Sequence, residues 1–239
     1  VHEILLIAFG MALAEFLGTG DAPLGIDVEG HGRHEELGTD IDLSRTVGWF
    51  TTKYPVSLAV GRLSWAQVRA GDAALGTVIK AAKEQLRSLP DGLTYGLLRY
   101  LNADAELAES SDPPIGFNYL GRLGAQAAVP GEVWQISQDG FSLATAAAAI
   151  PMPLMHTVEL NAATMDSETG PHLRADWTWA PSAMTHAQVR RLSRLWFDAL
   201  AGICTHVHRG GGGLTPSDIG LTGLSQQQID ELQRQYADC

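Results

Sequence analysis

The feature that most constrains this chain is a strict alternation followed at once by a helical period. In residues 173–179, Leu173, Ala175, Trp177 and Trp179 fall on one side, with Arg174, Asp176 and Thr178 on the other. That period of two reads as a strand with one buried face. A long amphipathic helix follows from Thr185, with Val189, Leu192, Trp196, Leu200 and Ile203 as its apolar stripe. Thr185 and Gln188 have the spacing of a capping box. A strand and a helix that each offer one apolar face must bury them against other elements. Strands and helices interspersed without an internal repeat therefore predict an α/β or α+β layer structure.

Other segments supply the partners. Leu5, Ala8, Met11 or Ala12, and Phe16 predict an opening helix, broken over 18–23. Val1 enters that helix with no cap before it, so a preceding segment is expected. A short apolar run covers 24–29. Residues 47–60 predict a strand pair or one long bent strand, with Pro55 placing it at an edge or bulge. Val78, Ala82, Leu86 and Leu89 predict a helix over 76–89, stopped by Pro90, Asp91 and Gly92. Residues 117–120 read as a short buried strand and 157–162 as another, and 165–172 as a hairpin turn. His206, His208 and Arg209 crowd the end of the long helix, where positive charge suits the helix dipole and solvation is the expected state. The glycines of 210–213 then read as a flexible linker. Ser225 and Gln228 cap a short last helix through Leu232.

Composition excludes several classes of function. The chain has 239 residues, 45% of them hydrophobic and 18% charged, a globular balance. Lys and Arg number 16 against 27 Asp and Glu, a net charge of −11, which argues against a phosphate-neutralising surface and so against nucleic acid. Two cysteines, Cys204 and Cys239, exclude a disulfide framework and suggest a reducing, cytoplasmic compartment. The apolar stretch 4–17 contains Glu15, is too short to span a bilayer, and lacks the basic start of a signal peptide, so no membrane is expected. There is no phosphate-binding GxxxxGK loop, no HExxH, no paired CxxC and no GxSxG. His206 and His208, two apart, do not share a helix face, so no metal site is expected.

Polar, glycine-rich motifs interrupt the apolar runs at four places: EGHGR (29–33), RTVGWFT with YPV (45–51 and 54–56), PDGLTYGLLRY (90–100) and FNYLGR (117–122). In order and spacing these resemble the C-terminal half of the epimerization domains of nonribosomal peptide synthetases, members of the condensation-domain superfamily. The resemblance spans nearly the whole chain. It implies a chloramphenicol-acetyltransferase-like lobe, a mixed β-sheet packed with helices, occupying residues 1–209. Residues 210–239 would be the Gly-rich linker and terminal helix. The family's HHxxxDG motif belongs to an N-terminal lobe. No His-His pair occurs here, so this chain is expected to be the second lobe and to need the missing N-terminal lobe as a partner.

The activity implied is inversion, L to D, of the Cα centre of an aminoacyl or peptidyl thioester. No cofactor would be bound directly. A peptidyl carrier domain would present the substrate on its phosphopantetheine arm, with neighbouring synthetase modules as further partners. The chain departs slightly after EGHGR, where His34 precedes the acid Glu35. Amide-forming condensation domains resemble it overall but carry an Asn-Thr-Leu-Pro-like run at 51–56 and lack EGHGR. A condensation lobe and a non-catalytic carrier-docking lobe stay as the alternatives. By itself the fragment is expected to be inactive.

Removing a proton α to a thioester needs a base, an acid on the opposite face and stabilisation of the enolate oxygen. Glu29 is the candidate catalytic group, since a carboxylate in a partly dry tunnel becomes more basic. The alternative is a solvent-facing acid at a strand end. His31 either titrates or braces the loop. Arg33 and Arg45 pair with Glu29, with acids of the missing lobe, or with Asp40 and Asp42. Asn118 and Tyr119 either satisfy backbone or point at substrate, and the resemblance favours the second. Trp49 and Phe50 read as packing residues before binding ones; Tyr95 and Tyr100 stay open.

Overall fold

The computed structural model describes residues 1–35, 38, 40–102, 107, 109–123, 153–167, 169–220 and 223–237. Glu36, Glu168 and Cys239, which fall in the segments read above, lie outside these.

Among the described residues, a five-stranded mixed sheet is ordered β2-β1-β3-β4-β5, where β1 is Leu24–Gly30, β2 Thr52–Leu58, β3 Ile115–Leu123, β4 Val158–Ser167 and β5 Gly170–Trp179. β1, β3 and β4 run parallel, and β2 and β5 lie antiparallel on the two edges. β1 and β3 are parallel neighbours, which no hairpin can join; the chain between them passes through β2 and, among the described residues, the helices α2 (Trp65–Ala70), α3 (Ala73–Arg87) and α4 (Gly92–Leu101). The helix α1 (His2–Leu17) precedes the sheet, and α5 (His186–His208), α6 (Pro216–Ile219) and α7 (Gln226–Ala237) follow it. This α/β architecture is the mixed sheet with helices that the sequence led us to expect.

Register makes the two sheet faces chemically opposite. One face carries Leu58 and Val56, Leu24, Ile26 and Val28, Phe117, Leu160 and Trp177, in cross-strand rows. Most of these are fully buried, in one core with α1 and α5. Phe9 meets Phe117 and Trp177 at ring centroids of 5.9 and 5.8 Å, and Trp177 meets Trp196 edge-on at 6.3 Å. The indole of Trp196 donates to the Leu5 carbonyl at 3.1 Å, a partner its burial demands. The other face carries Lys53, Asp27, Glu29, Gly116, Asn118, Glu159, Asn161 and Asp176.

Local rules explain the helix ends. Thr185 accepts from the Gln188 amide while the Gln188 side chain returns to Thr185, the capping box expected. Ser64 and Gln67 make another on α2. Asp72 starts α3 earlier than expected, by accepting from Ala74; the helix also ends earlier, at Arg87, so Leu89 lies beyond it and is exposed. The Pro90-Asp91-Gly92 stop is also a start, because Asp91 accepts from the Thr94 amide at 2.9 Å and caps α4.

Three expectations need correction. The strand within 47–60 is only Thr52–Leu58, on the sheet edge, where a proline such as Pro55 is tolerated. Residues before it form a loop, and Trp49, read as a packing residue, is 92% exposed. His206 is 7% exposed instead of solvated. Gly76 and Gly211 make room for it, since a Cβ at either would lie 2.6 or 2.3 Å from its Nε2.

The segment after 210–213 folds back on α3. Asp218 takes Lys83 and Arg87 at 2.6 and 2.7 Å, and Asp230 takes Lys80 at 2.7 Å. Lys83 first, then the Thr215 backbone N–H and Arg87, hold the Asp218 carboxyl far below the usual carboxylate range.

Candidate functional site

A cleft of about 630 Å³ opens at the carboxyl ends of β1 and β3. Parallel strands leave crevices at their C-terminal ends, where ligands of open α/β sheets bind. Its walls come from every nearby element: His2 at the start of α1, Glu29 and Gly30 ending β1, His31 and His34 in the next loop, Thr52 and Tyr54 of β2, Asp91 and Gly92 opening α4, and 118–121 of β3.

Glu29 is half-buried at the end of the central parallel pair, and Asn118 on the adjacent strand donates its amide to Glu29 Oε2 at 2.9 Å. Burial is the main influence raising the Glu29 carboxyl above its ordinary range, and Glu159 and Asp27 add to it. His156 and Lys53 oppose it. A carboxylate in this state is a stronger base than one in water.

The geometry groups some of the other candidates with Glu29 and separates the rest. His31 lines the cleft, and its Nδ1 accepts the Arg33 backbone N–H at 3.0 Å. Arg33 turns away: its guanidinium donates to the carbonyls of Leu43 and Thr46 at 2.7 and 3.1 Å and sits 4.4 Å over the Phe50 ring. The turn is made at Gly32, where φ is +64° and a Cβ would overlap the Phe50 carbonyl oxygen at 1.5 Å. Arg33 therefore pins the 43–50 loop and makes no pair with Glu29, Asp40 or Asp42. Arg45 is exposed and does not line the cleft. Tyr119 lines it with its hydroxyl 2.9 Å from Thr164 Oγ1. Tyr95 and Tyr100 lie on α4 around Arg99.

Several site residues escaped the sequence reading. Asp27 is a carboxylate only 3% exposed, bonded to Lys53 Nζ at 2.7 Å and His156 Nε2 at 2.9 Å. Lys53 continues to Asp112 at 2.5 Å, and Asp112 to Arg99. His156 Nδ1 reaches Glu159 at 3.1 Å, and Asn161 donates to the other Glu159 oxygen. Asp27, followed by Glu159, raises the His156 imidazole to about 9, against the pull of burial. A signal for Asp27 was present, since Leu24, Ile26 and Val28 alternate with Gly25, Asp27 and Glu29. Nothing local marks His156 or Lys53. His2 has a buried Nε2 with no hydrogen-bond partner among the described residues, and burial lowers its pKa.

The parallel strands of the sheet thus end at an acid and an amide that face an open cleft, the layout of an α/β ligand site. Comparison with known proteins narrows that class. The family model described as "Condensation domain" matches residues 1–210, and the chain belongs to the condensation-domain family. One component of the linear gramicidin synthase of Brevibacillus parabrevis is 37% identical over 97% of this chain, and bacitracin synthase 3 of Bacillus licheniformis 33% identical over 99%. The chain spans only 3% of each of those relatives. The epimerization domain from the third module of tyrocidine synthetase B superposes with a TM-score of 0.62 at 25% identity, covering 86% of this chain and 42% of that one. Among the described residues, no helix is long and apolar enough to cross a membrane.

Proposed function

We propose that this chain is the C-terminal lobe of a peptide synthetase epimerization domain, and that Glu29 exchanges the α-proton of a carrier-bound aminoacyl or peptidyl thioester. The observation that carries the reading is the half-buried Glu29, held through Oε2 by Asn118 at the mouth of the cleft. The epimerization domain among the similar structures supports it, as does the intact EGHGR run.

In the forward direction the Cα–H bond breaks, its proton passes to the Glu29 carboxylate, and its electron pair moves into the thioester to give an enolate. The enolate pair then takes a proton from an acid on the opposite face to form the new Cα–H bond; Glu29 releases its proton to solvent and the opposite-face group takes one up, so both return to their starting states. The Asn118 amide fixes the rotamer of the carboxylate. Orientation of this kind is what makes a positioned base worth about 10²–10⁴-fold. The opposite-face group is assigned to the N-terminal lobe, so the 239 residues alone turn over no substrate. The phosphopantetheine arm of a peptidyl carrier domain reaches the cleft, and neighbouring modules of a cytoplasmic synthetase supply that carrier.

The test is exchange of the Cα proton with solvent deuterium in the full two-lobe protein. Glu29→Gln abolishes exchange; wild-type exchange in that variant rejects the assignment. The family description favours a second reading, an amide-forming condensation lobe. With two loaded carriers that reading yields a dipeptide and no D-residue, which chiral chromatography of the hydrolysed product separates from epimerization.

A further inference from the structure

Two rows cross the polar face of the sheet. Asp27, Gly116 and Glu159 lie side by side on β1, β3 and β4, and Glu29, Asn118 and Asn161 occupy the next row toward the cleft. The first row has an acid on either side of Gly116, a position with no side chain. A Cβ at Gly116 would stand 2.5 Å from His156 Nδ1, so glycine is what lets the imidazole lie over the middle strand. There, with its side chain 3% exposed, His156 spans the gap, Nε2 to Asp27 at 2.9 Å and Nδ1 to Glu159 at 3.1 Å. With both ring nitrogens on carboxylates, the geometry suits the doubly protonated ring, which donates twice.

The mechanism above gives this buried cation no task. It makes no bond to Glu29, but it lies one row behind it, where charges interact through protein instead of water. We propose that His156 is a positioning residue for Glu29: seated over Gly116, it cancels the acids of the row behind and so sets the pH at which Glu29 becomes a base. This rests on the reading of Glu29 as the proton-exchanging group.

Glu29 faces charged and titratable groups from every element around it. Asp27 lies on its own strand, Lys53 opposite it on β2, Glu159 on β4 and His156 before β4. His2 of α1, His31 and His34 of the loop, Tyr54, Asp91 and Tyr119 line the cleft. Among these, Glu159 and Asp27 resist ionisation of Glu29, and His156 and Lys53 favour it. Removing His156 therefore makes Glu29 harder to ionise, and removing Glu159 makes it easier.

The experiment is the pH profile of Cα-proton exchange in the two-lobe protein for wild type, His156→Gln and Glu159→Gln. A carbon-13 carboxyl titration of Glu29 in the same proteins, assigned with Glu29→Gln, accompanies it. The acidic limb and the Glu29 titration move to higher pH in His156→Gln and to lower pH in Glu159→Gln. Loss of rate with the limb unmoved, or movement in one direction in both variants, overturns the proposal, because a purely structural role would do that. Should His156→Gln not fold, Gly116→Ala, whose methyl displaces the imidazole, takes its place: an upward move of the Glu29 titration supports the coupling, and no move or a downward one overturns it. Wild-type exchange in Glu29→Gln is a separate outcome that sinks the proposed function, whatever the titrations do.

Discussion

The two faces of one sheet have nearly opposite chemistry although they are built from the same strands in alternation. On the helix-covered face, Val28, Phe117, Leu160 and Trp177 form a row that exists to be buried. One residue further along each strand, or one back on the antiparallel edge, Glu29, Asn118, Asn161 and Asp176 form a row that no apolar core could hold. The first row gains stability from burial. The second keeps acids partly out of water and needs His156, Lys53 and Asn118 to tolerate them. The same pleat thus separates what holds the fold together from the side that carries the candidate site.

Substitutions can break this contrast. The largest effect is expected on the apolar side: Phe117→Ala leaves a void under Phe9 and costs about 3–5 kcal/mol, read as the midpoint of urea denaturation. On the polar side, Asp27→Asn leaves His156 and Lys53 short of a buried counter-charge. Breaking such a pair costs up to about 3–5 kcal/mol, and the same denaturation measures it. A smaller loss, about 1–3 kcal/mol, follows Gly116→Ala, because the new methyl displaces the imidazole; nuclear magnetic resonance of the His156 ring reports the displacement directly.

The pH dependence sharpens the comparison. The His156 pKa is raised to about 9 by folding, so its contribution is fully present below the unfolded value near 6.5 and is lost as pH rises through about 9. Melting temperature falls over that window in the wild type and falls less in His156→Gln. Glu29 has the opposite consequence at neutral pH. Its carboxyl is also raised, so holding it ionised costs stability above that range. Glu29→Gln therefore melts at the same temperature or slightly higher while losing all exchange, which separates function from stability at a single residue. The smallest effect lies far from the cleft. Asp218→Asn weakens the partly exposed pairs that hold α6 to α3 and costs about 1 kcal/mol.

Much of this was legible before folding. The alternation in 173–179, the stripe of α5 and its Thr185–Gln188 cap are local patterns, and the structure repeats them. EGHGR and FNYLGR brought Glu29 and Asn118 forward, and β1 and β3 prove to be neighbours that place the two in hydrogen-bond contact. Arg33 was harder to read, because the turn at Gly32 sends it to carbonyls 10 and 13 residues away. Trp49 looked like a packing residue because it is large and apolar, but nothing in its own segment says whether a neighbour arrives to cover it.

The order of residues by itself determined the periods, the caps and the alternation of acid with aliphatic in 24–29, since each depends on neighbours within a few positions. Only the tertiary structure decided that Asp27, Lys53, Gly116, His156 and Glu159 share one patch, because strand pairing and the His156–Asp27 bond bring together residues up to 129 apart. Charge acts through space, and a buried acid becomes tolerable only when the chain brings a cation to it from elsewhere.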